Sequence, residues 1–174
     1  MQSGSRSRVA SPIDEFADRV KDYTDLQKNL RSKLPKLKNK AEPEAITAHQ
    51  RLLQASLQKA RSDAKQGDVL LPALGPHIQS LVKSQLSGRS NKAARDAVKE
   101  SNPRGGEEPS PKPVQVAINA PYPKEAPLTT VPPSLLLKLP KLPEELEFRF
   151  VGKSLILRDT IANIIVDYLP GVAP

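Results

Sequence analysis

Cysteine and tryptophan are both missing from this chain. Without cysteine there are no disulfides, no thiolate metal ligands and no cysteine nucleophile, while the compartment is left unassigned. Aromatic residues are scarce at 3%, and apolar residues reach only 37%, so a modest core flanked by poorly ordered segments is expected. Long apolar runs are missing too: none approaches the ~20 residues of a membrane span. The opening is rich in Ser and Arg and has no hydrophobic centre, which predicts no secretory signal in this chain. There is no glycine-rich phosphate loop, because Gly105-Gly106 lies among prolines without a strand-to-helix step. A Gly-x-Ser-x-Gly elbow is also missing, and Ser3-Gly4-Ser5 belongs to the polar tail. No cofactor and no metal site are expected.

What is present centres on residues 146–169. Leu146, Phe148 and Phe150 alternate with Glu147 and Arg149, the period of a half-buried strand. Gly152-Lys153 can supply the positive φ of a short hairpin turn. Two further β-rich runs follow, over 154–158 and 163–168, each with one aspartate near its end, Asp159 and Asp167.

Upstream, Ser11-Pro12-Ile13-Asp14-Glu15 reads as a helix start: Ser as N-cap, Pro at N1, acids in the first turn. Ile13, Phe16, Val20, Tyr23, Leu26, Leu30 and Leu34 form one stripe, and Pro35 closes a helix near 12–33. Pro43 opens a second helix whose stripe is Ile46, His49, Leu53, Leu57, Ala60 and Ala64, with Leu52 beside it and Gly67 at its end. Similar lengths and a short link predict an antiparallel hairpin. A shorter helix over 76–86 should turn Ile78, Leu81, Val82 and Leu86 inward, and an alanine-rich segment over 91–100 carries Ala94, Ala97 and Val98. Residues 101–113 are a Pro/Gly linker, residues 114–119 alternate as a strand, and residues 120–133 hold five prolines in an extended run. No internal repeat is visible.

Asn119-Ala-Pro-Tyr-Pro, Val131-Pro-Pro-Ser-Leu-Leu, the run from Leu139 to Gly152 and Ala162-Asn-Ile-Ile-Val-Asp-Tyr together resemble a family of short bacterial proteins. The helix start at Ser11 and the Gly67-Asp68 turn are similar to it as well. Members are usually exported and have no established activity. The resemblance therefore implies a periplasmic or cell-envelope location and supplies no catalytic residue, whereas the missing signal leaves the cytoplasm as the alternative.

Three groups of residues invite a chemical reading. Asp159 and Asp167 would form a carboxylate pair if the last two strands join across Thr160-Ile161-Ala162, and such pairs can do acid–base work. As strand-end residues they would instead bond turn amides, Arg149 or Arg158. His49 and His77 are the only histidines; with no cysteine to complete a zinc site, each reads as interfacial or exposed, and the enzyme alternative needs His49 or His77 within reach of the aspartates. Lys28, Arg31, Lys33, Lys36, Lys38 and Lys40 are anion-contact candidates. The net charge of +8 lies wholly in residues 1–100, which hold nineteen Lys/Arg against eleven Asp/Glu. No aromatic platform or nucleic-acid motif accompanies the run, and nucleic acid is not the expected partner.

The chain thus reads as α+β: a tail over 1–10, a helical region over 11–100 built on an antiparallel hairpin plus short helices, a linker over 101–113, and a small antiparallel β-meander over 114–174 packed on the helices. A lone three-stranded meander is marginal, so 114–119 should join it and one face should cover a helix. The function expected is that of a non-enzymatic structural or protein-interaction protein, docking a protein partner through a β edge or the Pro-rich segments 109–113 and 121–123. A small hydrolase- or lyase-like enzyme using the aspartates and a basic nucleic-acid-binding protein are the alternatives.

Overall fold

The computed structural model describes residues 10–86, 115–123 and 131–173. The expected alanine-rich helix over 91–100, the linker over 101–113 with its prolines, and the tail over 1–9 lie outside the described residues, as does the Leu86 side chain.

Helix α1 spans Pro12–Ser32 and starts where the sequence places it. Ser11 accepts from the Asp14 N–H at 3.2 Å and Asp14 reaches back to the Ser11 N–H at 3.3 Å, a reciprocal capping box. Phe16, Val20 and Tyr23 are buried as the stripe requires, whereas Ile13 is 44% exposed. Two polar residues, Thr24 and Gln27, join the buried face instead. Helix α2 spans Pro43–Ala60 and buries only Leu53 and Leu57 of its expected stripe; Ile46 and Leu52 are about half exposed. A 3₁₀ turn, Pro72–Leu74, buries Leu74 and leads into α3, Gly75–Leu86, which sends Ile78 and Val82 into the core. A single helical turn, α4, spans Pro133–Leu136.

Strands β1 (Leu146–Val151), β2 (Ser154–Asp159) and β3 (Ile164–Leu169) form an antiparallel meander in the order β1-β2-β3. The architecture is α+β, two N-terminal helices and short helical pieces over a C-terminal three-stranded sheet. Gly152 takes a positive φ of 58° and Lys153 does not, the pattern of a type II′ turn that pairs Val151 with Ser154. Asn163 takes φ 55° in the second turn.

One sheet face covers the helices. Leu146, Phe148, Phe150, Leu155 and Leu157 share a core with Phe16, Tyr23, Leu53, Leu57 and Ile78, and the Phe16 and Phe148 rings stack 6.3 Å apart. Each such side chain contributes about 1.5–3 kcal/mol by leaving water. The other face carries a smaller cluster of Tyr122, Val151, Ile156 and Ile165, roofed by residues 116–122.

The segment expected to join the sheet does so further along than the alternation over 114–119 predicts. Residues 115–119 form no strand; contact is made by 119–122, through an isolated bridge between Pro121 and Ile164. The Asn119 N–H donates to the Ile165 carbonyl, the Ile165 N–H to the Ala120 carbonyl and the Tyr122 N–H to the Asn163 carbonyl, each at 2.9 Å. Pro121 and Pro123 have no N–H to offer, which limits the pairing to this short bridge.

Among the described residues no helix is long and apolar enough to cross a membrane.

Candidate functional site

Asp159 and Asp167 are fully buried, and both face the helical layer by different routes. Asp159 follows Leu155 and Leu157 on the inner face of β2. Asp167 gets there because β3 slips register between its pairings with Leu157 and Arg158: Ile165 sits opposite Arg158 and Asp167 opposite Leu157, so Val166 is an extra residue. Strict alternation would have sent Asp167 to the face of Ile165.

Each carboxylate is saturated by donors. Asp159 Oδ1 accepts from the turn N–H groups of Ile161 and Ala162, both at 2.8 Å. Its Oδ2 accepts from the Tyr23 hydroxyl at 2.7 Å and from Gln27 Nε2 at 3.0 Å. Asp167 Oδ2 accepts from the N–H groups of Val69 and Leu70 at 2.8 Å and of Gly67 at 3.1 Å, and Oδ1 from Gly67 at 3.0 Å and Tyr168 at 2.8 Å. The turn after α2 therefore wraps its amides round one side chain of β3, and Gly67, at φ +94°, makes that wrap possible. The two carboxylates share no donor. Neither histidine is among their partners: His77 is exposed at the start of α3, and His49 is half-buried on α2. Arg149 and Arg158 bond Glu147 rather than an aspartate, at 2.8 and 2.7 Å. Burial pushes the Glu147 carboxyl up, but the hydrogen bonds and charges of these two guanidiniums outweigh it and hold the group below the usual range.

Arg61 lies within electrostatic reach of both aspartates. Its guanidinium sits 5.0 Å from the Tyr23 ring centroid and donates to Asn119 Oδ1 at 2.6 Å and to the Val166 carbonyl at 3.1 Å. Burial pushes this guanidinium down, against the opposing pull of Tyr23, Asp167, Asp68 and Asp159. The same burial, with the Asp159 charge and hydrogen bond, drives the Tyr23 hydroxyl far above its ordinary range.

Arg61 belongs to a polar ladder that the sequence reading missed. On α2, Gln50 donates to the Ile161 carbonyl, Gln54 to those of Ala162 and Asn163, and Gln58 to that of Asn119. Gln66 extends the row to the Tyr168 carbonyl. The spacing 50, 54, 58, 61 is one helix face. That face, rather than the one carrying Leu52, is what α2 turns to β3 and its turn. The signal was a glutamine row at helical period, normally read as a solvated face.

Two grooves among the described residues bear on a partner. The first runs beside β1. Glu147, Arg149 and Val151 sit in phase with the bonded closing pair Val151 and Ser154, so their backbone groups point to β2, while those of Phe148 and Phe150 point outward. Among the described residues nothing bonds the outward N–H and C=O groups of Phe148 and Phe150, whereas the Leu146 N–H is taken by the Pro143 carbonyl. Along this edge lies a groove of about 450 Å³, walled by Val131, Leu136, Pro140 and Leu142 opposite Phe148. The second surface is at the tip of the hairpin, a groove of about 600 Å³ between the 33–42 connector and the start of α2. The cationic run is gathered here only in part: Lys36, Lys38 and Lys40 line the groove with His49, while Arg31 and Lys33 are exposed on the last turn of α1 and Lys28 pairs with Glu145 at 3.5 Å.

Among the described residues no cluster of three His, Asp or Glu is placed to hold a metal ion. No family model, no curated protein and no solved structure matches the chain.

Proposed function

We propose that this is a non-enzymatic protein-interaction protein of the bacterial envelope, and that it receives an extended segment of a protein partner along the outer edge of β1. The observation that carries the reading is the pair of unbonded outward peptide groups at Phe148 and Phe150 beside an apolar groove. An added strand gains main-chain hydrogen bonds from such an edge, and alternate side chains of the partner enter the groove. The opposite edge of the sheet, on β3, is already occupied by 119–122 and by the side chains of Arg61 and Gln66, which follow α2. Bacterial origin and envelope location rest on the family resemblance of the sequence.

What supports this reading over a hydrolase- or lyase-like enzyme is the state of Asp159 and Asp167. A general base needs a lone pair free for a substrate proton. Here both oxygens of each carboxylate are engaged by internal donors at 2.7–3.1 Å.

The test is a capture experiment with the full chain and its Leu136→Asp variant at low and high salt. Leu136 is 50% exposed on the groove wall, so a charge there leaves the core untouched. The expected result is one protein partner retained by the wild type at high salt and lost by the variant. Equal recovery by both chains contradicts the edge, and nucleic acid recovered only at low salt supports the basic-arm alternative instead.

A further inference from the structure

The groove at the hairpin tip is separate from the β1 edge, and nothing in the reading above uses it. Its floor is apolar, with Leu37, Ala45 and Leu52 among the lining residues, and its rim carries Lys36, Lys38 and Lys40. Leu37 and Leu52 are 41% and 49% exposed. Helix α2 is thus apolar on two sides. Leu53 and Leu57 face the core, while the row through Ala45, Ala48 and Leu52 faces away from it, in steps of three and four. Leaving such a row in water is unfavourable by roughly 25 cal/mol for each Å² that a partner would cover.

We infer that this groove docks an acidic amphipathic helix of a partner protein. The apolar row from Ala45 to Leu52 rises about 10.5 Å along α2, the length of two helical turns in an incoming helix. Apolar anchors of that helix at i, i+3 or i+4, and i+7 would fill the floor. Carboxylates on its flanks would meet the three rim lysines, and exposed Lys33 and Arg31 extend the same field along the approach. A second copy of this chain is a poor occupant, because it brings the same lysines against their own kind. Only Glu42 among the lining residues is acidic.

The probe is a synthetic helical peptide of about 14 residues with leucines at the anchor positions and glutamates on both flanks, followed by fluorescence anisotropy against the full chain. A second peptide carries lysine in place of every glutamate. The acidic peptide is expected to bind with an affinity that falls as salt rises, and the lysine peptide is not. Replacing Lys36, Lys38 and Lys40 together by Glu, or making Leu52→Asp alone, should weaken binding about tenfold or more. Both variants alter exposed positions, and an unchanged far-ultraviolet circular dichroism spectrum confirms that they fold. The inference is overturned if both peptides bind alike, if Leu52→Asp binds as the wild type does, or if the acidic peptide fails to bind up to about 1 mM. It is equally overturned if the acidic peptide stays free while the chain sediments with phosphatidylcholine/phosphatidylglycerol vesicles in a lysine-dependent manner, which assigns the surface to a membrane.

Discussion

Arg61 and Asn119 hold each other twice. Arg61 Nη1 donates to Asn119 Oδ1 at 2.6 Å, and Asn119 Nδ2 donates to the Arg61 carbonyl at 2.7 Å. The asparagine takes φ 61°, which this residue type tolerates better than most, and its main chain bonds Ile165 and Gln58 at the same time. One residue therefore ties the end of α2 to β3 and to the segment that closes its edge. Arg61→Met and Asn119→Ala should each lower stability by about 2 kcal/mol, since each strands partners that are partly or wholly buried. Their effects should not add, and a coupling of about 1 kcal/mol or more in a urea double-mutant cycle checks this. Strict additivity would mean that the two contacts are ornamental.

Gly67 provides the second test of the layer contact. A Cβ built there falls 2.9 Å from Cδ and Cγ of Pro72, and the backbone sits at φ +94°. Gly67→Ala must either strain the turn or pull its amides from Asp167, so a loss of about 2–4 kcal/mol is expected. Thermal or urea unfolding measures it directly. Gly152→Ala makes the comparison, because nothing lies within 4 Å of a Cβ there and only the positive φ of 58° opposes it. A smaller loss is expected at Gly152 than at Gly67.

Tyr23 makes the fold sensitive to alkali. Its hydroxyl must stay protonated to donate to Asp159, and burial with that neighbouring charge raises its pKa well above 10 in the folded chain. In the unfolded chain it titrates near 10. The unfolded state then holds fewer protons above that pH, so the contribution is fully present below pH ~10 and is lost as pH rises beyond it. Urea midpoints should fall between about pH 9 and pH 11, and Tyr23→Phe should flatten that fall while starting from a lower stability. An identical slope in the variant would show that other groups carry the alkaline sensitivity.

Local chemistry made much of this fold legible. The Ser11 cap with Pro12 and Asp14, the Gly152 turn and the alternation of Leu146, Phe148 and Phe150 are short-range signals, and each is found at its place. The layer contact was less legible because it is long-range and polar. Gln50, Gln54 and Gln58 look like a wet helix face until the carbonyls of 161–163 and 119 are brought beside them. Asp167 was placed on a strand correctly, but the slip at Val166 that turns it inward leaves no mark in a period-2 pattern. Ile46 and Leu52 mislead in the opposite direction: Ile46 matches a core stripe by spacing and Leu52 lies beside it, yet both are left half exposed.

The most direct test of the account is the unfolding free energy of Asp159→Asn and Asp167→Asn. If both carboxylates are internal clamps for the donors described above, each substitution turns an acceptor oxygen into an NH₂ group facing donors. Each should then cost about 3 kcal/mol or more in urea unfolding at neutral pH. Residues kept for catalysis behave differently, because neutralising a buried active-site charge tends to leave stability unchanged or to raise it. Two strongly destabilised variants are the predicted result. Two variants as stable as the wild type, or more so, would contradict the non-enzymatic reading and return the aspartate pair to the centre of the molecule's chemistry.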